Sequence, residues 1–254
     1  MRRDWTESTV VVLTCDRDAE LMDLCRAGVK KFWPGIRIAE VHDKNTPCLA
    51  PDVPGDLWEL SKTIPYLRKV LDMPWASETD QIYCIDSDCL IVDEPWDWPA
   101  AAYLSVAPGC LGSMWLRWGS AIWESLGCPP IDTTRIFCGG CWSARRSEMF
   151  EPYRDLTFAY IRECHKRHKD HKFPGPVYEQ CLLNGLWHMA YKDRRLPEWR
   201  YPLYHARGSM AILHLSEMRN TPGGEAMIEK YKAAVGLTIQ PKETQDERST
   251  RTVP

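Results

Sequence analysis

Three short apolar runs, each followed closely by an aspartate, constrain this chain more than any other feature. Val10-Val-Val-Leu-Thr14 leads into Cys15-Asp16, an Ile-rich run at 36–41 into His42-Asp43, and Gln81-Ile-Tyr-Cys-Ile85 into Asp86-Ser87-Asp88. Apolar, β-branched runs of this length read as buried strands. Between the first two, Leu21, Leu24, Cys25, Gly28, Val29 and Phe32 recur at helical spacing until Pro34-Gly35 stops the pattern. A proline-rich loop (Pro47, Pro51, Pro54) and a helix expected over 57–71 separate the second run from the third. Strands alternating with helices predict an α/β fold, a mainly parallel central sheet flanked by helices. Ligands of such sheets bind beyond the carboxyl ends of the strands, so the site is expected on that edge and should be acidic.

The second half is more mixed. Strands are expected over 89–92, 134–143 and 210–215, and helices over 178–189 and from Thr221 to about 234. The segment 240–254 has almost no apolar content and is expected to be disordered. No internal repeat or linker interrupts the rest, so residues 1–239 are expected to form one domain. Within it, 8–95 would be a nucleotide-binding half, 96–220 a sugar and acceptor half, and 221–239 a C-terminal helix.

The whole chain of 254 residues carries a net charge of −3, which excludes a nucleic-acid binder driven by overall basicity. The sum hides an asymmetry: residues 1–140 hold 13 basic and 21 acidic side chains, residues 141–220 hold 14 and 9. An acidic half beside a basic half suits a protein that holds a cation in one region and anionic groups in the other. The longest uncharged stretch, 98–116, is broken by Pro99, Pro108, Gly109 and Gly112 and is rejected as a membrane span. The N-terminus shows no secretory core, and the 11 cysteines have no framework spacing. A cytoplasmic protein with free thiols is expected, in the host cytoplasm if the source is viral.

The chemistry concentrates in Asp86-Ser87-Asp88. Two carboxylates at alternate positions of an extended chain face one side, where they repel unless a cation compensates. Hard oxygen donors suit Mg²⁺ or Mn²⁺, with phosphate oxygens and water completing the coordination.

Further elements follow in a fixed order: Leu60-Ser61-Lys62 ahead of that strand, then Cys138-Gly139-Gly140-Cys141-Trp142-Ser143, then Glu179-Gln180-Cys-Leu-Leu-Asn184, and last Ile212-Leu213-His214. In this order they resemble the GT-A nucleotide-sugar glycosyltransferases, closest to glycosyltransferase family 8, which contains glycogenin and the bacterial lipooligosaccharide galactosyltransferases. The resemblance implies a GT-A (Rossmann-like) fold. It also implies transfer of a hexose from a nucleotide-diphosphate sugar, of the UDP-glucose or UDP-galactose type, to an acceptor hydroxyl with retention at the anomeric carbon. Residue by residue, it makes Asp86, Asp88 and His214 the ligands of Mn²⁺ or Mg²⁺. Thr14, Cys15, Asp16, Asp43, Ser87, Gly139 and Gly140 would line the donor. Lys62 would hold the donor phosphates, and Glu179 with Gln180 would face the donor sugar. Glu179 stands where the family carries Asp. After the histidine the family has Gly and then Lys-Pro-Trp; here Ser216-Glu217-Met218-Arg219 follows, and Arg219 is expected to supply the diphosphate-binding charge.

The acceptor is left open between a saccharide and a hydroxylated (hydroxymethyl) base in DNA, the substrate of a phage- or viral-type DNA glycosyltransferase. The basic segments at 162–172 and 192–195, Arg145 and Arg146 would serve either, and Trp142, Trp187 and Trp199 are expected as stacking surfaces. A reading of another class makes Cys138 and Cys141, with Cys164, His165, His168 and His171, a zinc-stabilised binding module.

Overall fold

Period-two alternation in the strands decides the layering. The computed structural model describes residues 6–14, 19–91, 114–131, 139–171, 175–191, 212–214 and 221–236. In β1 (Ser8–Thr14), Val10 and Val12 point to one side and Val11 to the other; in β3 (Gln81–Asp86), Tyr83 and Ile85 oppose Ile82 and Cys84. Successive residues of a strand fall on opposite faces of a sheet, so one strand feeds two cores. The first core packs Val10, Val12, Tyr83 and Ile85 against Met22, Cys25 and Val29 of α1 (Ala19–Phe32). The second, larger core packs Val11, Ile82 and Cys84 toward α2 (Gly55–Thr63), α4 (Met114–Ser125), α6 (Arg154–His171) and α8 (Gln180–Tyr191).

The main sheet has the order β2-β1-β3-β5, with β2 at Arg37–His42 and β5 at Cys141–Arg145. β1 runs parallel to β2 and β3, whereas β5 is antiparallel to β3. A separate two-stranded sheet pairs β4 (Cys89–Ile91) antiparallel with β6 (Ile212–His214). The α/β class and the mainly parallel sheet are as the sequence predicts.

Three elements depart from expectation. The helix expected over 57–71 is broken: α2 stops at Thr63, Pro65–Leu67 forms a tight helical turn, and α3 (Arg68–Leu71) resumes. Pro65 has no N–H to give, and it biases the preceding Ile64 away from helical angles; Ile64 sits at φ −127, ψ 77. The helix expected over 178–189 is two, α7 (Gly175–Tyr178) and α8, with Glu179 at their junction. The strand expected over 134–143 is found at 141–145, with 134–138 outside the described residues. The segment 240–254 also lies outside them.

α9 (Pro222–Val235) is capped by Thr221, whose hydroxyl accepts from Gly224 N, and closes on Gly236 in the left-handed conformation. It packs Tyr231 against Leu24 of α1 and Leu90 of β4. The Tyr231 hydroxyl donates to Ile91 O at 2.5 Å, and a Cβ on Gly28 would fall 1.9 Å from that hydroxyl, so only glycine fits under the contact. Among the described residues no helix is long and apolar enough to cross a membrane.

Candidate active site

The carboxyl edge of the main sheet gathers what the strand ends carry. Register pairs Thr14 with His42 and Leu13 with Asp86, and Asp43 N donates to Thr14 O at 3.0 Å. Thr14, Asp43 and Asp86 therefore line one edge. Asp43 is nearly enclosed there; its Oδ1 lies 3.3 Å from His42 Nδ1 and makes no hydrogen bond among the described residues.

Asp86 closes β3, with its N–H donating to Gly140 O at 2.9 Å. Ser87 and Asp88 form the buried turn into β4. Cys89 then donates its thiol to Gly140 O at 3.3 Å and pairs in register with His214. The antiparallel ladder thus sets His214 beside the residue after Asp88, although the two are far apart in sequence. The imidazole ring lies outside the described side chains.

Beneath this turn lies a residue the sequence reading did not single out. Lys69, 4% exposed on α3, holds its ammonium 2.6 Å from Asp86 Oδ1 and 3.2 Å from Glu179 Oε1, and donates to Gly139 O at 3.2 Å. Burial opposes the charge on this ammonium, but Asp86 and then Glu179 outweigh it and hold Lys69 well above the usual lysine value. Its signal is visible in retrospect: a lysine inside Leu67-Arg-Lys-Val-Leu71 cannot be buried without partners, and acids follow on the next strand.

Glu179 reaches the cluster from the α7–α8 junction, where its carbonyl accepts the first bond of α8 from Leu183 N at 2.8 Å. It fits because position 139 is glycine: a Cβ there would lie 2.2 Å from Glu179 Oε1. Gln180 opens α8 at the edge of the same group, with its carbonyl accepting from Asn184 Nδ2 at 2.7 Å.

The remaining expectations divide. Lys62 sits on an exposed face of α2 paired with Glu59, and the cation in contact with Asp86 and Glu179 is Lys69 instead. Trp142 and Trp187, expected as stacking surfaces, are buried in the larger core, Trp142 against Phe150 and Trp187 against Tyr191, and offer no free face. Cys164, offered to zinc, is a free buried thiol in the same core. Cys15, Asp16, Arg219, Cys138 and Trp199 lie outside the described residues, as does the side chain of Cys141. No cluster of three metal-binding side chains occurs among the described residues.

No protein-family model matches the chain, and no curated protein matches it. Solved structures do. The galactosyltransferase LgtC, in complex with donor and acceptor sugar analogues, superposes at a TM-score of 0.51 over 92% of this chain and 98% of that one, at 15% identity. An active-site mutant of LgtC gives 0.50 and 14% over the same shares. The fold is GT-A. The resemblance drawn from the sequence is thereby met at the level of architecture. In this GT-A frame the acidic turn, the Gly139-Gly140 backbone and Glu179 converge on the edge where a parallel sheet takes its ligand.

Proposed function

We propose that the chain is a metal-dependent glycosyltransferase that moves a hexose from a UDP-type sugar to an acceptor hydroxyl, with retention. The observation that carries this reading is the convergence at one strand end of Asp86, Asp88, the backbone position of His214 and the buried Lys69–Glu179 pair. The GT-A fold supports it.

The donor set fits a divalent cation: two carboxylates from one turn and an imidazole brought alongside by the β4–β6 ladder suit Mn²⁺, with Mg²⁺ the harder alternative. Asp86, Asp88 and His214 would hold that ion, which supplies positive charge against the diphosphate of the leaving group.

The other roles belong to the chain. Asp43, whose Oδ1 makes no hydrogen bond among the described residues, accepts from the base or ribose of the nucleotide, and Thr14 lines the same strand end; Cys15, Asp16 and Ser87 are assigned to the donor on the resemblance. The Gly139-Gly140 backbone lets the sugar approach closely. Lys69 stabilises negative charge on Asp86 and Glu179 and fixes both in place. Glu179 thereby presents a carboxylate to the positive charge that builds on a sugar ring as its leaving group departs, and Gln180 orients the sugar beside it. Lys62 and Arg219 are held as candidates for the outer phosphate contacts. We take the acceptor to be a saccharide rather than DNA, because Arg146, Arg162 and Arg167 are each committed to an acid (Glu151, Asp56 and Glu163) instead of forming a free basic face.

The test is thermal unfolding of the chain with UDP-galactose or UDP-glucose, with and without Mn²⁺. A ligand near one hundred times its Kd stabilises by about 2.7 kcal/mol, roughly 5–10 °C in a chain of this size. The shift should require Mn²⁺ and vanish in Asp88→Ala. A shift independent of both metal and Asp88 rejects the reading.

A further inference from the structure

With Trp142 and Trp187 buried, Tyr66 is the one large hydrophobic side chain left exposed among the described residues, at 37%. Its place makes it informative. Leu67 and Arg68 continue helical angles from the Pro65–Leu67 turn into α3, at φ −59, ψ −25 and φ −58, ψ −31. Residues three apart on such a turn share a face, so Tyr66 stands one turn out from Lys69, whose ammonium meets Asp86 and Glu179. The Tyr66 hydroxyl makes no hydrogen bond within the described residues. Burial of its inner half raises the phenol above its usual value, with Glu179 adding to the rise and Lys69 opposing it.

We propose that Tyr66 is the acceptor-sugar platform: its exposed ring stacks on the C–H face of the acceptor pyranose and holds a hydroxyl toward Glu179. The inference rests on the glycosyltransferase reading above and deepens it by assigning the acceptor class. Tyrosine offers an apolar body and a polar tip, which matches a pyranose with its apolar C–H face and hydroxyl rim. The exposure gradient selects the acceptor over the donor. Asp88 is 9% exposed and the Asp86 side chain 25%, against 37% for Tyr66, so the ring is the member of this group most open to a second substrate arriving from solvent. The three-residue spacing to Lys69 brings the stacked ring toward the carboxylate without blocking the acidic turn.

The experiment uses the full chain charged with Mn²⁺ and UDP, with methyl α- and β-glucosides, methyl α- and β-galactosides and lactose as probes, read by saturation-transfer NMR and titration. Wild type should bind at least one of these saccharides. Tyr66→Ala should weaken it by roughly fivefold to tenfold, the worth of an aromatic contact, and Tyr66→Phe should restore it to within about threefold. UDP affinity should stay within about twofold in both variants. Because the ring is exposed, both variants are expected to melt near wild type, and circular dichroism checks this. Unchanged saccharide binding in Tyr66→Ala overturns the proposal. An equal loss for UDP and saccharide also overturns it, by assigning the ring to the donor, as does wild-type protein that takes up UDP yet binds no saccharide. Failure of UDP and Mn²⁺ to bind wild type is a different result: it removes the glycosyltransferase reading itself.

Discussion

Lys69 carries its charge where water hardly reaches, between a strand-end aspartate, a helix-junction glutamate and a carbonyl. Breaking a buried pair costs more than the pair contributes, because the surviving charge is stranded. Lys69→Met should therefore lower stability by about 3 kcal/mol, measured by urea unfolding at neutral pH. Because the folded value of Lys69 lies above its ordinary value of 10.5, the stabilisation is complete below that pH. It is lost as pH rises through the folded value. The gap between wild type and Lys69→Met should stay constant from pH 7 to about 10 and narrow above it; a gap that widens with pH contradicts the pairing. At this scale the sequence was only partly legible. Asp86 and Asp88 were singled out by their spacing and Glu179 by the resemblance, but Lys62 and Lys69 are both lysines of the segment ahead of the acidic strand. Only tertiary packing shows that the first faces solvent beside Glu59 and the second turns inward.

The α2–α3 segment shows how one break organises its neighbours. After Pro65 interrupts the helix, α3 points Arg68 into the fold, where both it and Asp72 are fully buried. Arg68 donates through Nε and NH2 to Asp72 at 3.1 and 2.6 Å, and through NH1 and NH2 to the carbonyls of His42, Thr46 and Pro47 at 2.8, 2.8 and 3.0 Å. Asp72 in turn accepts from Leu49 N at 3.1 Å. One guanidinium thus pins the loop after β2 and with it Asp43. Arg68→Leu should cost about 3–5 kcal/mol by leaving Asp72 charged and alone. Arg68→Leu with Asp72→Leu should cost clearly less than the two single changes summed, and a double-mutant cycle by chemical denaturation reads the coupling. Additivity would mean the two residues do not act as a pair. The strands of the first half were legible because period and β-branching are local properties. The break at Pro65, the antiparallel setting of β5 and the burial of Trp142 and Trp187 were not, since each depends on what packs opposite. A tryptophan in a short apolar run carries the same letters whether it meets a ligand or Phe150.

Across the molecule, the two sheets are joined by contacts distant in sequence. α9 reaches back to α1 and β4 through Tyr231, and Gly28 leaves room for its hydroxyl. Gly28→Ala should destabilise by roughly 1–3 kcal/mol through overpacking, and Tyr231→Phe, which removes the nearest clashing atom, should recover part of that loss in thermal denaturation. If the alanine costs the same in both backgrounds, the hydroxyl is not what it meets. The GT-A architecture was readable in outline from the order of its motifs, although no family model and no curated protein matches the chain.

The pairing of Cys89 with His214 has a temporal side. The acidic turn, between β3, which pairs with β1, and β4, which packs on α1, is synthesised early, but the strand that brings the histidine alongside emerges only after most of the polypeptide has been made. Closing so long a loop is entropically slow, so this ladder should be among the last parts to zip up. A ribosome-bound chain stopped short of Ile212 would hold its paired aspartates without the histidine proposed to join them, and the proposed metal site would be completed only in that late step.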